Sequence, residues 1–295
     1  MKISQYRLLF IIIILLNISA LTPLSAKVLE TMKIESKILK ETVEYSIYLP
    51  PDYELSNRRY PVVYLLHGYT DDETAWVQFG EVDVTADRAI RSQEIPAMII
   101  VMPDASLSYY IDDYKGKFRY ESFFIEEFVP FIDATYRTRP AKEFRGVSGL
   151  SMGGFGSLMY AMRHSDKFAA CAAFSAAVRS DDEIMKLEDK HWNRAFADLY
   201  GGELSGEERI NDHWKKYSPL HLAQTLDVKS LNSVRWYIDC GDDDFLYNGN
   251  SMLHILMRNR DIHHEYRVRD GVHNWTYWRT NIIEGLKFIG QSFHR

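Results

Sequence analysis

Residues 144–164 read FRGVSGLSMGGFGSLMYAMRH, and the fold turns on how this stretch divides. Phe144 to Ser148 has the pattern of a short strand, residues 149–154 (Gly-Leu-Ser-Met-Gly-Gly) are a glycine cluster, and Gly156 to His164 reads as a helix. A serine in G-x-S-x-G between a strand and a helix sits on a sharp, strained turn that lifts its hydroxyl above the sheet. Gly149 and Gly153 flank Ser151 because a Cβ at either place would collide with the closely packed strand and helix. The five-residue pattern arises easily in a chain with 16 glycines; its strand–turn–helix setting is what gives it weight.

Strands and helices alternate on either side of this turn. Val43, Tyr45, Ile47 and Leu49 alternate with polar residues and stop at Pro50-Pro51, so residues 28–50 fit an antiparallel hairpin at a sheet edge. Tyr60 to Leu66 and Ile95 to Met102 are short, almost wholly apolar runs, as expected of strands covered on both faces. Tyr120 to Tyr136 has helical spacing, with Phe124, Phe128, Phe131 and Ile132 on one side. Downstream, Phe168 to Phe174, Val234 to Cys240 and Tyr266 to Val268 read as strands, and 249–259 and 281–293 as helices. Apolar strands alternating with helices imply crossovers, hence an α/β fold with a mostly parallel sheet covered on both faces. The polar, Trp-containing stretch 181–224 interrupts the alternation and reads as a helical insertion over one end of the sheet.

Composition narrows the classes. The 295 residues are 46% hydrophobic and 26% charged, an ordinary globular balance. Lys+Arg number 35 against Asp+Glu 41, a net charge of −6, and no long basic block exists, so nothing marks a nucleic-acid partner. Two cysteines exclude a disulfide-rich scaffold, and Cys171 and Cys240 both fall in apolar runs that suit buried free thiols. Lys2 and Arg7, the unbroken apolar run Leu8 to Leu16 and the small residues ending at Ala26 have the layout of a secretory signal peptide, with Ala20 an alternative cut. Asn17, Ser19 and Thr22 interrupt the run too early for a stable membrane anchor, which needs about 20 apolar residues. The expectation is a secreted chain, residues 1–26 an address and 27–295 a single domain.

A serine nucleophile needs a base and an orienting acid, which in this arrangement follow in the order Ser, Asp, His. Among 10 histidines, His273 is best placed, in a loop after the last strand. His263 and His264 precede that strand, His164 and His254 fall in helices, and His191, His213 and His221 lie in the insertion. For the acid, Asp239, Asp242, Asp243 and Asp244 all follow or end the penultimate strand. Asp239 is still within the strand run, and spacing does not separate the other three. Two backbone N–H groups should form an oxyanion hole: Met152, after the nucleophile, and Tyr69, in the His67-Gly68-Tyr69 loop after Leu66. His67 comes too early for the base and reads as a brace for that loop.

Four segments together, YLPPDY (48–53), LLHGYTDDETAW (65–76), GLSMGG (149–154), and DCGDDDFL (239–246) with DGVHNW (270–275), resemble the esterase D-like branch of the α/β-hydrolases. The resemblance spans nearly the whole chain after residue 26. It implies the α/β-hydrolase fold and a Ser–His–Asp esterase, and it selects Asp244, because the family pattern C-G-x-x-D-x-L falls on Cys240, Gly241, Asp244 and Leu246. Within the branch the sequence is most similar to secreted bacterial feruloyl and acetyl xylan esterases. The substrate so implied is an acylated oligo- or polysaccharide such as xylan, feruloyl ahead of acetyl, with no metal or organic cofactor. An acyltransferase of the mycolyltransferase type, using the same triad, is the reading from another class. Trp76, Tyr109, Tyr110 and Trp275 lie in or beside loops at the expected active edge and are the candidate pocket walls, with Phe245 and Trp278 nearby.

Overall fold

The computed structural model describes residues 26–294. All of the expected signal segment except Ala26 lies outside them. Eight strands form one sheet: β1 (Lys27–Glu35), β2 (Thr42–Leu49), β3 (Val62–Leu66), β4 (Ile99–Pro103), β5 (Arg145–Leu150), β6 (Ala170–Phe174), β7 (Arg235–Gly241) and β8 (His264–Arg269). Their order is β1-β2-β4-β3-β5-β6-β7-β8. The β1–β2 hairpin is antiparallel, β2 runs antiparallel to β4, and every pairing from β4 to β8 is parallel.

The central strands are apolar on both sides because both sides are covered. Along β3, Val62, Tyr64 and Leu66 face one core while Val63 and Leu65 face the other, the period-two alternation of a pleated strand. Helices α2 (Met152–Arg163) and α3 (Tyr247–Asn259), with the segment 120–135, close the first face. Helices α1 (Val82–Arg91) and α4 (Trp275–Gly290) close the second. The insertion is helical, from Asp181–Met185 to Pro219–Thr225. Its hub is the buried Arg209 guanidinium, which donates to the carbonyls of Leu204, Ile184 and Leu187.

Element bounds differ from the sequence reading in several places (His264, for one, opens β8 rather than preceding it), and three departures have a plain physical cause. The expected strand at Ile95 starts only at Ile99, because Pro96 has no N–H for a ladder and the Ile95 amide turns back to the Ala89 carbonyl at 3.3 Å. The segment 120–136 is helical but carries a π-helical turn at Phe124–Phe128, next to Pro130, which cannot donate to the preceding turn. The closing helix begins at Trp275, not 281, because the Asn274 side chain caps it. Cys171 and Cys240 are buried and free, and burial pushes both thiols up. Among the described residues no helix is long and apolar enough to cross a membrane.

Candidate active site

Strand β5 ends at Leu150 and α2 starts at Met152, so one residue makes the turn. Ser151 has φ 53° and ψ −116°, a region a non-glycine residue occupies only when its surroundings hold it there. Those surroundings are backbone hydrogen bonds: the Ser151 N–H donates to Phe174 O at 2.9 Å, and its carbonyl accepts from Phe155 at 3.0 Å and Ala177 at 2.9 Å. A Cβ on Gly149 would lie 2.5 Å from the Gly153 carbonyl, and one on Gly153 would run into the carbonyls of Leu66 and His67.

His273 lies between β8 and α4, at the same edge of the sheet. Its Nε2 is 3.0 Å from Ser151 Oγ. Its Nδ1 is 2.8 Å and 3.0 Å from the two Asp244 carboxylate oxygens. A carboxylate only accepts, so Nδ1 carries the proton and the neutral ring offers Nε2 to the serine hydroxyl. Asp244 is fully buried. Burial alone would raise its pKa; the His273 N–H and positive form, the Leu246 amide (2.8 Å) and the Ser175 hydroxyl outweigh burial and hold the carboxyl below its ordinary range.

The other acids separate by geometry. Asp239 is also buried, but it accepts from the Tyr237 hydroxyl at 2.8 Å, from Arg269 Nε at 2.9 Å and from the Tyr277 hydroxyl. Asp242 and Asp243 are exposed turn residues. With Asp270 they bring carboxylate oxygens within 4.8 Å of one another, an arrangement common among exposed acids without a metal. His254 and His264 pair with each other at 2.7 Å, and His164 bonds to Glu121 at 2.8 Å; neither pair is near the serine in the hydrogen-bond network.

The loop after β3 lies against the serine: a Cβ on Gly68 would sit 3.8 Å from Ser151 Cβ. Among the described residues the Met152 and Tyr69 amides donate to no protein acceptor, and Met152 is the first residue of α2, where the helix dipole favours negative charge. His67 is more than a brace. The Ala105 amide donates to its Nε2 at 2.9 Å, so the ring proton is on Nδ1, 2.8 Å from the Gly68 carbonyl. The Asp71 amide donates to the same carbonyl at 3.2 Å. A peptide whose C=O is held on one side presents its N–H, that of Tyr69, on the other.

Two of the four expected pocket walls are corrected. Trp76 is buried, its Nε1–H donates to Leu66 O at 2.9 Å, and it packs edge-on behind Trp275. Tyr110 is buried as well, with its hydroxyl donating to His67 O at 3.0 Å. Both brace the segment that leads into the Tyr69 loop from behind and, being buried, present no ring to a substrate. Tyr109 is partly exposed and packs on Tyr69, Phe155 and Phe196; burial pushes its hydroxyl pKa up to about 12. Trp275 is also partly exposed, against Trp278 and Phe79. A cleft of about 710 Å³ between α3 and the insertion, lined by Asp181, His221 and Met252 among others, contains none of Ser151, Asp244 and His273.

Sequence reasoning missed Ser175. It is buried at φ 44°, its Oγ accepts from Trp278 Nε1–H at 3.0 Å, and the Trp278 ring stands edge-on to His273 at 4.8 Å. The signal was available in register: Leu150 pairs with Phe174, so the residue after β6 lies beside the residue after β5.

The family model "Putative esterase" matches residues 36–289. An esterase of Mycobacterium tuberculosis is 37% identical over 172 residues, 55% of this chain and 35% of the relative, so the chain spans about a third of that relative's length. An acetyl esterase of Caldicellulosiruptor saccharolyticus is 23% identical over 271 residues, covering 87% of this chain and 96% of its own. The solved structure of a ferulic acid esterase superposes with a TM-score of 0.80 at 33% identity, covering 92% of this chain and 99% of that one.

Proposed function

The chain belongs to the esterase family, on the α/β-hydrolase fold, and from that premise we propose that it is a serine carboxylic-ester hydrolase acting on acylated carbohydrate, with hydroxycinnamoyl groups such as ferulate as its first substrates. The observation that carries this reading is the hydrogen-bonded line from Asp244 through His273 to Ser151, 2.8 Å and 3.0 Å long. In the first half-reaction Ser151 Oγ attacks the ester carbonyl while its proton passes to His273 Nε2. The carbonyl electrons move onto oxygen, which the Met152 and Tyr69 amides and the N-terminus of α2 stabilise. The tetrahedral intermediate collapses, the bond to the alcohol oxygen breaks, and His273 returns the proton to that oxygen. Water then repeats the sequence on the acyl-enzyme and releases the acid. Asp244 keeps His273 in the Nδ1–H tautomer and stabilises its charged form. These steps need only protein groups and water.

The ferulic acid esterase at 33% identity over almost its whole length supports the feruloyl reading. The acetyl esterase, matched over 96% of its length, favours acetyl as the second. Initial rates on methyl ferulate and on an acetylated xylan fragment, measured side by side, decide between them: ferulate release well ahead of acetate is expected, and acetate release alone would replace the feruloyl reading. Ser151→Ala should lower turnover at least roughly a thousandfold on either substrate; retained turnover would remove the serine from the mechanism. The layout of residues 1–26 supports export, and amino-terminal sequencing of the protein recovered outside the cytoplasm tests it, with a start at Lys27 expected, or at Leu21 if the cut falls after Ala20.

A further inference from the structure

Phe245 stands exposed beside the catalytic histidine. It is 61% exposed, and its ring centre lies 4.5 Å from that of His273, tilted by 49°. Burial of an apolar ring stabilises a fold, and here most of the residue stays in water. Its place is nevertheless fixed: the Asp244 carboxylate accepts from the Leu246 amide at 2.8 Å, and the Asp244 carbonyl accepts from the Tyr247 amide at 2.9 Å. The residue between Asp244 and Leu246 cannot move without disturbing the acid. Val272, next to His273 in sequence, is also exposed.

The direction of the reaction says which part of a substrate meets this ring. The oxyanion points to Met152 and Tyr69, whereas the alcohol oxygen takes its proton from His273 Nε2. The leaving group therefore exits along His273, the ring against which Phe245 packs. We propose that Phe245 is the leaving-group subsite, a platform on which the sugar ring that carries the ester oxygen rests. This rests on the serine-esterase reading above and adds the residue that selects the alcohol. A pyranose or furanose presents a flat C–H face suited to an aromatic ring and hydroxyls at its rim. Asp242 and Asp243, exposed in the turn just before, accept from hydroxyls and repel an anionic alcohol or thiol.

Two esters of one acid, methyl ferulate and feruloyl-arabinose, isolate the alcohol; methyl acetate and acetylated xylobiose do the same for acetyl. Phe245→Ala should lower the preference for the sugar ester over the methyl ester, as a ratio of kcat/KM values, by about tenfold, carried mainly by a higher KM for the sugar ester. Phe245→Trp, which keeps a platform, should restore the ratio. A ring that only props His273 would lower kcat for both esters alike and leave the ratio in place, which overturns the proposal; an unchanged ratio with unchanged rates overturns it too. The Ser151→Ala result is separate, since loss of the serine mechanism abolishes or spares both esters whatever residue 245 is. An exposed side chain should leave the unfolding temperature within about 2 °C of the parent.

Discussion

In the run Asp242-Asp243-Asp244-Phe245 one atom position decides each role. Asp243 and Asp244 have the same side chain, but the chain turns between them, leaving one carboxylate in water and the other fully buried against His273. A buried carboxylate with three donors stays ionised, and an ionised acceptor fixes the tautomer of its histidine. Asp244→Asn keeps the shape but offers an amide N–H where the His273 N–H must donate, so the ring turns or takes the wrong tautomer. The expected loss in kcat is roughly a thousandfold or more, whereas Asp243→Asn should cost less than about tenfold. Steady-state rates on one ester decide it, and equal losses would return the acid to the unresolved choice among Asp242, Asp243 and Asp244 that spacing alone allows. The same scale explains two misplaced aromatics. Tyr110 lies in a turn and Trp76 in the short helix Ala75–Gln78 beside a loop, but which side of such a segment faces the core depends on partners such as Leu66 O and His67 O. Those partners come from other elements and leave no trace in local sequence.

Strands and helices differ in how plainly the chain announces them. The central strands were legible because two-sided burial makes them short, apolar and bounded by polar turns: Val62–Leu66 and Ala170–Phe174 fall inside the runs that predicted them. The start of α4 was not legible. Its first turn, Trp-Thr-Tyr-Trp, is bulky and β-branched, with weak helix propensity, and Asn274 lacks the acidic partner three residues on that marks a capping box. Tertiary packing overrides that weakness, since Tyr277, Trp278 and Ile282 are buried against the second face of the sheet. The consequence is functional, because the cap adjoins His273. The Asn274 side chain accepts from the Tyr277 amide at 3.0 Å, which anchors the loop carrying the histidine at its downstream end. Asn274→Ala should cost about 1 kcal/mol of stability and lower kcat several-fold at unchanged KM. Urea unfolding together with steady-state kinetics checks both, and a variant as stable as the parent would show that packing alone holds the helix start.

Across the whole molecule, the helix that starts at the Ser151 turn is tied to other layers far from it. Helix α2 begins at the Ser151 turn and ends near Arg163 and His164, both of which bond to Glu121 on the neighbouring helical segment, at 2.6 Å and 2.8 Å. Arg163 also donates to the Lys216 carbonyl in the insertion at 3.3 Å and lies over the Tyr217 ring. One buried carboxylate thus joins the segment 120–135, α2 and the insertion. Burial would raise the Glu121 pKa, but the hydrogen bonds and charges of His164 and Arg163 overcome it and hold the group at about 2, against an ordinary value of 4.5. A carboxyl whose folded pKa is depressed stabilises the native state fully above its unfolded value, and that stabilisation is lost as pH falls from there towards the folded value. The window is therefore about pH 4.5 down to about 2. Glu121→Gln removes the charge at every pH, so it should cost about 2 kcal/mol near neutrality, where Arg163 is left without its partner. Below pH 4.5 the parent gradually gives up the same interaction, and the two unfolding free energies should converge. Urea midpoints for both proteins at pH 7, 5, 4 and 3 test this. A gap that stays constant across the series would mean that Glu121 ionisation contributes nothing to holding the three layers together.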